Sequence, residues 1–272
     1  MPPVDQPTAE TRRLFWVLRI GVAMEAIGHG SLGLGRQAAW APYFAVIGIH
    51  QDLAMSLMPV VGALDIGFGL LALFYPARGA VLYFAVWGLC TALLRPLAGE
   101  SVWEAVERAG NVGAPLALWL LIRGGGPSSW FKAGCVESLD ATSRERLRWV
   151  LKATTVLILL GHGLLQLAVR KPALAMQYTH LGLPGASAEP MMGAIECLLA
   201  LAVAIRPAFA LLVAVLAWKL ATEALSPLCG SSVWVFVEHG GSYAAPLALA
   251  LLQASRRGGE ARSLGGRAAA PA

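Results

Sequence analysis

The chain has 272 residues, of which 57% are hydrophobic and 14% charged, and its formal net charge is +5. Soluble domains carry about a quarter charged residues, whereas this chain repeats apolar runs of about twenty residues, the length that crosses a hydrocarbon core about 30 Å thick. The composition predicts a polytopic α-helical membrane protein with the lipid bilayer as its partner. The sequence has no P-loop, GxSxG or HExxH motif, which excludes the common soluble hydrolases and kinases.

Eight spans are predicted after a polar lead-in at 1–13. The first span carries Arg19, Glu25 and His29, which does not suit the apolar region of a cleavable signal peptide. A polar, Gly/Ser-rich linker at 124–145 follows the fourth span, and 255–272 has the composition of a disordered cytoplasmic tail. The spans are predicted at 14–34, 54–75, 79–97, 102–122, 149–169, 190–205, 208–226 and 232–252.

The chain contains an internal duplication. GHGSLGL at 28–34 matches GHGLLQL at 161–167, and PLAGESVWEAVERAG at 96–110 matches PLCGSSVWVFVEHGG at 227–241. The offset stays between 131 and 134 residues, so only small insertions separate the copies. We expect two four-helix bundles, at 14–123 and 146–254, that lie parallel in the membrane and are related by a pseudo-twofold axis.

Basic residues predict the orientation. Under this topology eleven Arg and Lys residues fall on the side of the termini and the linker, against four on the other side, namely Arg36, Arg95, Arg170 and Lys171. The positive-inside rule then places both termini in the cytoplasm of a bacterial-type inner membrane. Because the basic residues cluster at helix ends and in loops, the net charge does not indicate a nucleic-acid partner.

Three ionisable residues recur at matching positions in the outer half of each copy. Such groups are costly inside a membrane, normally face the bundle interior and mark a site by default. We therefore expect a buried cluster of one histidine and two carboxylates in each copy. The candidate catalytic residues are His29, Asp65 and Glu107 in the first copy and His162, Glu196 and Glu238 in the second.

Other interpretations of the same residues stay open. Polar side chains also hold membrane helices together through hydrogen bonds. Histidine and carboxylate suit haem or a metal ion, and Glu25 lies one turn before His29; its counterpart, however, is Ile158. The loop histidines, His50 and His180, do not align with each other, so no set of metal ligands is assigned.

A quinone needs a hydrogen-bonding group, a proton-exchanging acid and aromatic walls in a membrane cleft. Trp103 and Trp234 lie one turn before Glu107 and Glu238 on the same helical face, and are candidate cofactor-binding residues. The alternative for both tryptophans is an aromatic belt at the membrane interface. Proline within spans four and eight is expected to kink each helix just past the glutamate.

The four-span unit resembles the DoxX-like membrane proteins. The resemblance rests on HG at the end of the first span and on W-x-x-x-E-x-x-G followed by PLAL in the fourth, and it covers both copies. Those residues are His29, Gly30, Trp103, Glu107, Gly110 and Pro115, then His162, Gly163, Trp234, Glu238, Gly241 and Pro246. The usual family unit is a single four-helix protein, so this chain looks like a tandem fusion.

The resemblance implies quinone-linked redox work, since family members include a subunit of a thiosulfate:quinone oxidoreductase. The leading functional hypothesis is a membrane oxidoreductase subunit that interacts with quinone and with other redox-complex subunits. Two alternatives remain: a non-catalytic scaffold or accessory subunit of a membrane complex, and a transporter of a small solute or protons.

Overall fold

The computed structural model describes residues 7–122, 130–136 and 138–268, with side chains up to residue 255 apart from Ala173. The described chain is all α-helical. In order, its helices are α1 (Ala9–Leu34), α2 (Ala41–Val46), α3 (Gln51–Phe74), α4 (Arg78–Leu97), α5 (Val102–Glu107), α6 (Ala109–Leu121), α7 (Ala141–Leu164), α8 (Pro172–His180), α9 (Gly185–Ile205), α10 (Phe209–Leu228), α11 (Val233–Val237) and α12 (Gly240–Ala268). The tail predicted at 255–272 overlaps the end of α12, and residues 1–6, 123–129, 137 and 269–272 of the predicted lead-in, linker and tail lie outside the described residues.

Within the described residues, six helical segments are long and apolar enough to cross a membrane, which confirms the prediction of a multi-pass membrane protein. They are Gln51–Phe74, Arg78–Leu97, Ala141–Val169, Gly185–Ile205, Phe209–Leu228 and Val233–Ser255. Their outward faces are strongly apolar: Val60, Leu64 and Leu71 of α3 are exposed at helical spacing. A face of this kind is suited to lipid, because water would strongly disfavour such contiguous apolar surface.

The first and fourth predicted spans, 14–34 and 102–122, are not among these six segments. The first lies in α1, which carries several charged residues and is largely buried inside the protein. One of them, Arg19, is buried and donates hydrogen bonds to the carbonyls of Ala72 and Leu73 at the end of α3. The fourth is divided into two short helices, α5 and α6, by a break at Arg108.

Serine and aspartate side chains begin several of these helices. Ser101 and Ser232 accept hydrogen bonds from the backbone of α5 and α11, and Asp140 accepts from the backbone N–H of Ser143 at the start of α7. Such caps satisfy N–H groups that have no partner within the helix. The hydrogen bond from Ser143 also lowers the pKa of Asp140, which keeps the cap ionised.

The two halves of the chain interleave. Helix α1 packs against α3 in its own half and also along α11 and α12 of the other half. In the matching way, α7 packs against α9 and along α5 and α6. The core between them is aliphatic, with Leu18, Leu118, Leu151 and Leu249 all buried. The first helix of each half therefore covers the last helix of the other half.

Glycine permits this contact in the places where the sequence repeats GHG. A Cβ atom added at Gly28 would lie 2.3 Å from the backbone nitrogen of Glu238, and one added at Gly161 would lie 2.2 Å from that of Glu107. Only a residue without a side chain allows two backbones to approach so closely. The repeated glycines thus bring each histidine-bearing helix against the glutamate of the opposite half.

Candidate functional site

Glu107 and Glu238 both lie at helix interruptions. Glu107 ends α5 and is followed by Arg108, where the helix breaks before α6. Glu238 lies between α11 and α12, followed by His239. Pro115 and Pro246 lie within the helices that follow, so the breaks come about two turns before the prolines rather than beside them. The interruption turns both carboxylates into the buried centre, where Glu238 is 6% exposed.

The structure groups the predicted residues differently from the sequence. We expected Glu107 to face His29 and Asp65 of its own half. Instead, Glu107 Oε2 lies 3.7 Å from Nε2 of His162, which belongs to the second half. The physical reason is the interleaving, because the glutamate turn of one half packs on the first helix of the other.

The other two residues of the first cluster do meet. His29 Nδ1 lies 2.8 Å from Asp65 Oδ2, and the imidazole stacks on Trp40 with ring centroids 4.5 Å apart. With Nδ1 held by the carboxylate, Nε2 is the nitrogen left for a ligand. This pair joins α1 to α3 and lines a cavity in the first half of the chain.

Aromatic and polar side chains form the walls of this cavity, which we call the first-half cavity. Trp40, Tyr43, Phe44 and Trp87 provide aromatic surface. Ile47, which is 63% exposed, also lines it, so the cavity reaches the protein surface there. The polar groups of the walls are His29, Asp65, Thr91, Arg95, Arg108 and Asn111.

Two buried donors in these walls have no hydrogen-bond partner within the described part of the chain: Trp87 Nε1 and Arg108 Nε. A buried donor without a partner costs roughly 1–3 kcal/mol. The guanidinium of Arg108 is also 3.9 Å from a carboxylate oxygen of Glu107 and of Glu238, so it lies between the two glutamates. Both unpaired donors suit a ligand that presents an acceptor oxygen.

The matching region of the second half is filled by a hydrogen-bond network centred on Glu196. Lys219 Nζ and Trp218 Nε1 donate to Glu196 Oε1, at 3.3 and 3.2 Å, and Gln166 Nε2 donates to Oε2 at 3.0 Å. Tyr178 OH donates to Gln166 Oε1 at 2.6 Å. Burial raises the pKa of Tyr178, so its hydroxyl stays protonated and keeps this bond.

Sequence differences between the copies account for this network in the second half. Trp218 matches Trp87, but Glu196 is one methylene longer than its counterpart Asp65 and reaches the indole N–H. Lys219 and Gln166 also match Gly88 and Gly33 of the first copy. The second half therefore contains two large polar side chains where the first half has glycine.

A second group of potential ligands lies in the second half. His162, Glu223 and His239 each offer one ligand atom, and these atoms lie within 4.8 Å of one another. His162 Nε2 is 3.6 Å from Glu223 Oε1, and His239 Nδ1 is 3.6 Å from Glu223 Oε2. Lys219 Nζ is 2.7 Å from Glu223 Oε1, one turn away on the same helix.

Ion pairs between the halves border the first-half cavity. Arg95 lies 3.1 Å from Glu100 and 3.4 Å from Glu104, and Lys171 of the second half also pairs with Glu104. Tyr43 OH donates to Glu100 at 2.5 Å, and burial raises the pKa of Tyr43. These acids therefore hold α2 and the loop before α8 in place.

Trp103 and Trp234, the predicted cofactor-binding residues, are not among the residues that line the cavity. Trp234 is 40% exposed, a position that suits an interfacial belt. The tryptophans at the cavity are Trp40, in a loop, and Trp87. Trp87 could have been identified from the sequence as a candidate site residue, because it matches Trp218 at the repeat offset.

Comparisons with models of known protein families, with curated protein sequences and with solved structures find no match to this chain.

Proposed function

We propose that this membrane protein binds a quinone headgroup in the first-half cavity and exchanges protons with it. The observation that carries the proposal is the combination of an imidazole–carboxylate pair, His29–Asp65, with the unpaired Trp87 N–H in one aromatic-walled cavity. Pockets of this kind, mostly apolar with a few convergent polar groups, are the usual form of a small-molecule site.

The chemistry of each group fits this ligand. A quinone has two carbonyl oxygens that accept hydrogen bonds, and Trp87 Nε1 and Arg108 Nε supply donors. Asp65 holds His29 Nδ1, so Nε2 delivers or accepts the proton, as in other carboxylate–histidine pairs. Reduction of quinone to quinol adds two protons and two electrons. We assign the electrons to a redox partner subunit, and this chain binds the quinone and moves the protons.

We also propose that the chain crosses the membrane eight times. Helix α1 and the pair α5–α6 lie inside the protein, where charged side chains find partners, so lower hydropathy is compatible with spanning. Contacts of α1 with α3, and of α5–α6 with α4 and α7, support this arrangement. The resemblance to DoxX-like proteins stays part of this proposal, and its repeated GHG motif is the segment that joins the two halves.

The quinone proposal is tested with two matched tryptophan variants. Trp87→Phe removes an N–H that has no partner among the described residues, on a side chain that lines the cavity, whereas Trp218→Phe removes an N–H that donates to Glu196. We expect Trp87→Phe to weaken binding of a short-chain ubiquinone analogue roughly 2- to 10-fold, since one hydrogen bond contributes about 0.5–1.5 kcal/mol. Isothermal titration of the purified protein in detergent measures this.

Trp218→Phe should lower the melting temperature and leave quinone affinity unchanged. Asp65→Asn, which keeps size and removes charge, should weaken binding of the analogue as well. The proposal fails if the wild-type protein neither yields quinone on solvent extraction nor binds the analogue. If these variants instead reduce the amount of protein in the membrane without changing affinity, an accessory or scaffold role is supported.

A further inference from the structure

We propose a metal site in the second half of the chain, formed by His162, Glu223 and His239 with Glu107 as a fourth ligand, that binds a divalent first-row transition metal ion. Two histidine nitrogens and carboxylate oxygens are the donor set of zinc and of non-haem iron(II). This site is separate from the first-half cavity, and its test does not depend on quinone binding.

The distances suit a metal ion between the side chains. His162 Nε2 lies 3.6 Å from Glu223 Oε1 and 3.7 Å from Glu107 Oε2. These separations are too long for direct hydrogen bonds. Ligand atoms around a tetrahedral zinc ion are roughly 3.3–3.4 Å apart, given bonds of about 2.0–2.1 Å. Coordination of an ion therefore requires the ligand atoms of His162, Glu223 and His239, which lie within 4.8 Å of one another, to move closer together.

The buried surroundings need positive charge. His162 Nε2 has no hydrogen-bond partner among the described residues, although two carboxylates face it. Within the described part of this centre, four carboxylates share two cations: Glu196 and Glu223 lie against Lys219, and Glu107 and Glu238 lie 3.9 Å from Arg108. A divalent ion offsets part of this excess where the low dielectric makes it costly.

Neighbouring groups orient the ligands from outside, as second-shell residues do in metal proteins. Lys219 Nζ contacts both Glu196 Oε1 and Glu223 Oε1 and so fixes the Glu223 carboxylate. His239 Nδ1 lies 2.7 Å from the carbonyl oxygen of Val235, which holds the imidazole and leaves Nε2 as the nitrogen for an ion.

The first copy lacks this ligand set. The residues that match Glu223 and His239 are Ala92 and Arg108, and only His29 matches a ligand, His162. The two copies have thus diverged: the first contains the open cavity, and the second contains the candidate ligands. Because Ala92 occupies the position of the first copy that matches Glu223, the Glu223→Ala variant introduces a residue that the repeat already contains at this position.

The test is metal content of the full-length protein. The purified protein is stripped with a chelator, dialysed against Zn²⁺ or, without oxygen, Fe²⁺, and analysed by mass spectrometry of the metals. We expect about one ion per chain for the wild type and for His180→Ala, which changes an exposed histidine at the end of α8. Glu223→Ala and His239→Gln should bind at least about 100-fold more weakly, because even the loss of a second-shell contact costs 10- to 100-fold.

Cobalt(II) provides a readout that a folding defect does not imitate. Co²⁺ bound by these ligands gives visible d–d absorption, which should be present in the wild type and in His180→Ala and absent in His239→Gln protein that still melts cooperatively. The proposal is overturned if the wild type binds no ion at stoichiometric level. It is equally overturned if Glu223→Ala and His239→Gln retain wild-type binding.

Discussion

At the residue scale, a few substitutions distinguish the two copies. Asp65 and Glu196 differ by one methylene, yet Glu196 reaches Trp218 and Lys219 while Asp65 pairs with His29 alone. Lys219 is 1% exposed and bridges two carboxylates. The same position in the repeat therefore serves a cavity in one half and a closed polar network in the other.

Removing the Lys219 charge should destabilise the protein strongly. Lys219→Met leaves Glu196 and Glu223 buried without their shared cation, and breaking a buried pair costs about 3–5 kcal/mol of the free energy of unfolding. Thermal unfolding in detergent measures the loss. Lys132→Met, at an exposed loop position, is the control and should stay within about 0.5 kcal/mol of the wild type.

The double variant Lys219→Met/Glu223→Ala should lose less stability than the two single losses combined, because it removes one of the stranded carboxylates. A Lys219→Met protein that melts like the wild type would contradict the view that this lysine holds the network together.

At the element scale, short helices and breaks position the acids. Helix α5 ends at Glu107 and α11 just before Glu238, and glycines of the opposite half lie directly against both turns. Because backbone atoms of the two halves are in direct contact, the position of each glutamate is fixed along the axis of the helix that carries the neighbouring histidine. Any added side chain must separate the two halves.

Gly28→Ala and Gly161→Ala should each lower the free energy of unfolding by roughly 1–3 kcal/mol, the usual cost of overpacking. Gly67→Ala is the matched control, since a Cβ atom there meets nothing within 4 Å in the same kind of helix. It should be neutral or stabilising, by up to about 1 kcal/mol, because alanine favours the helix. Melting curves of the three variants compare them. Equal effects at Gly67 and Gly161 would refute the role of close approach.

At the scale of the whole molecule, the halves form one interleaved structure instead of two side-by-side bundles. Each first helix packs on the last helices of the other half, and Glu10 of α1 pairs with Arg144 of α7 near their starts. As a result, residues from both halves contribute to the buried acidic centre, and neither half contains a complete set of partners.

The membrane topology distinguishes the eight-span proposal from a chain that crosses only at the six most apolar segments. With eight spans, the loops that contain His50 and His180 lie on one side, and Lys132 lies on the other. With six, His50 and Lys132 share a side, and His180 is opposite. All three residues are exposed, so each is replaced by cysteine in a variant that lacks Cys90, Cys135, Cys197 and Cys229.

Labelling of right-side-out vesicles with a membrane-impermeant maleimide should modify the cysteines at 50 and 180 and spare the one at 132. Labelling of 50 together with 132, or of 180 alone, would exclude eight spans. We expect eight spans because α1 packs along α3, one of the six apolar segments, and would therefore cross the same thickness of membrane as α3.

The sequence by itself determined the class of the protein, the duplication and three of the buried carboxylates, Asp65, Glu196 and Glu238. Apolar length and repeat offset are local properties of the chain, and they need no knowledge of packing. The predicted His29–Asp65 neighbourhood also followed from depth along two adjacent helices, which sequence position gives at about 1.5 Å per residue.

Only the tertiary structure decided which of these residues meet. Depth along a helix does not specify which helices are neighbours. The contact of Glu107 with His162 of the other half therefore could not be predicted from the sequence, and neither could the position of Trp40 and Tyr43 in the walls of the first-half cavity. The copies also differ at contacts between helices: Gly33 and Gly88 of the first copy pack closely against neighbouring backbone, whereas the matching Gln166 and Lys219 extend to Glu196. These contacts depend on packing between segments that are distant in the sequence, and the periodicity of the sequence carries no information about that packing.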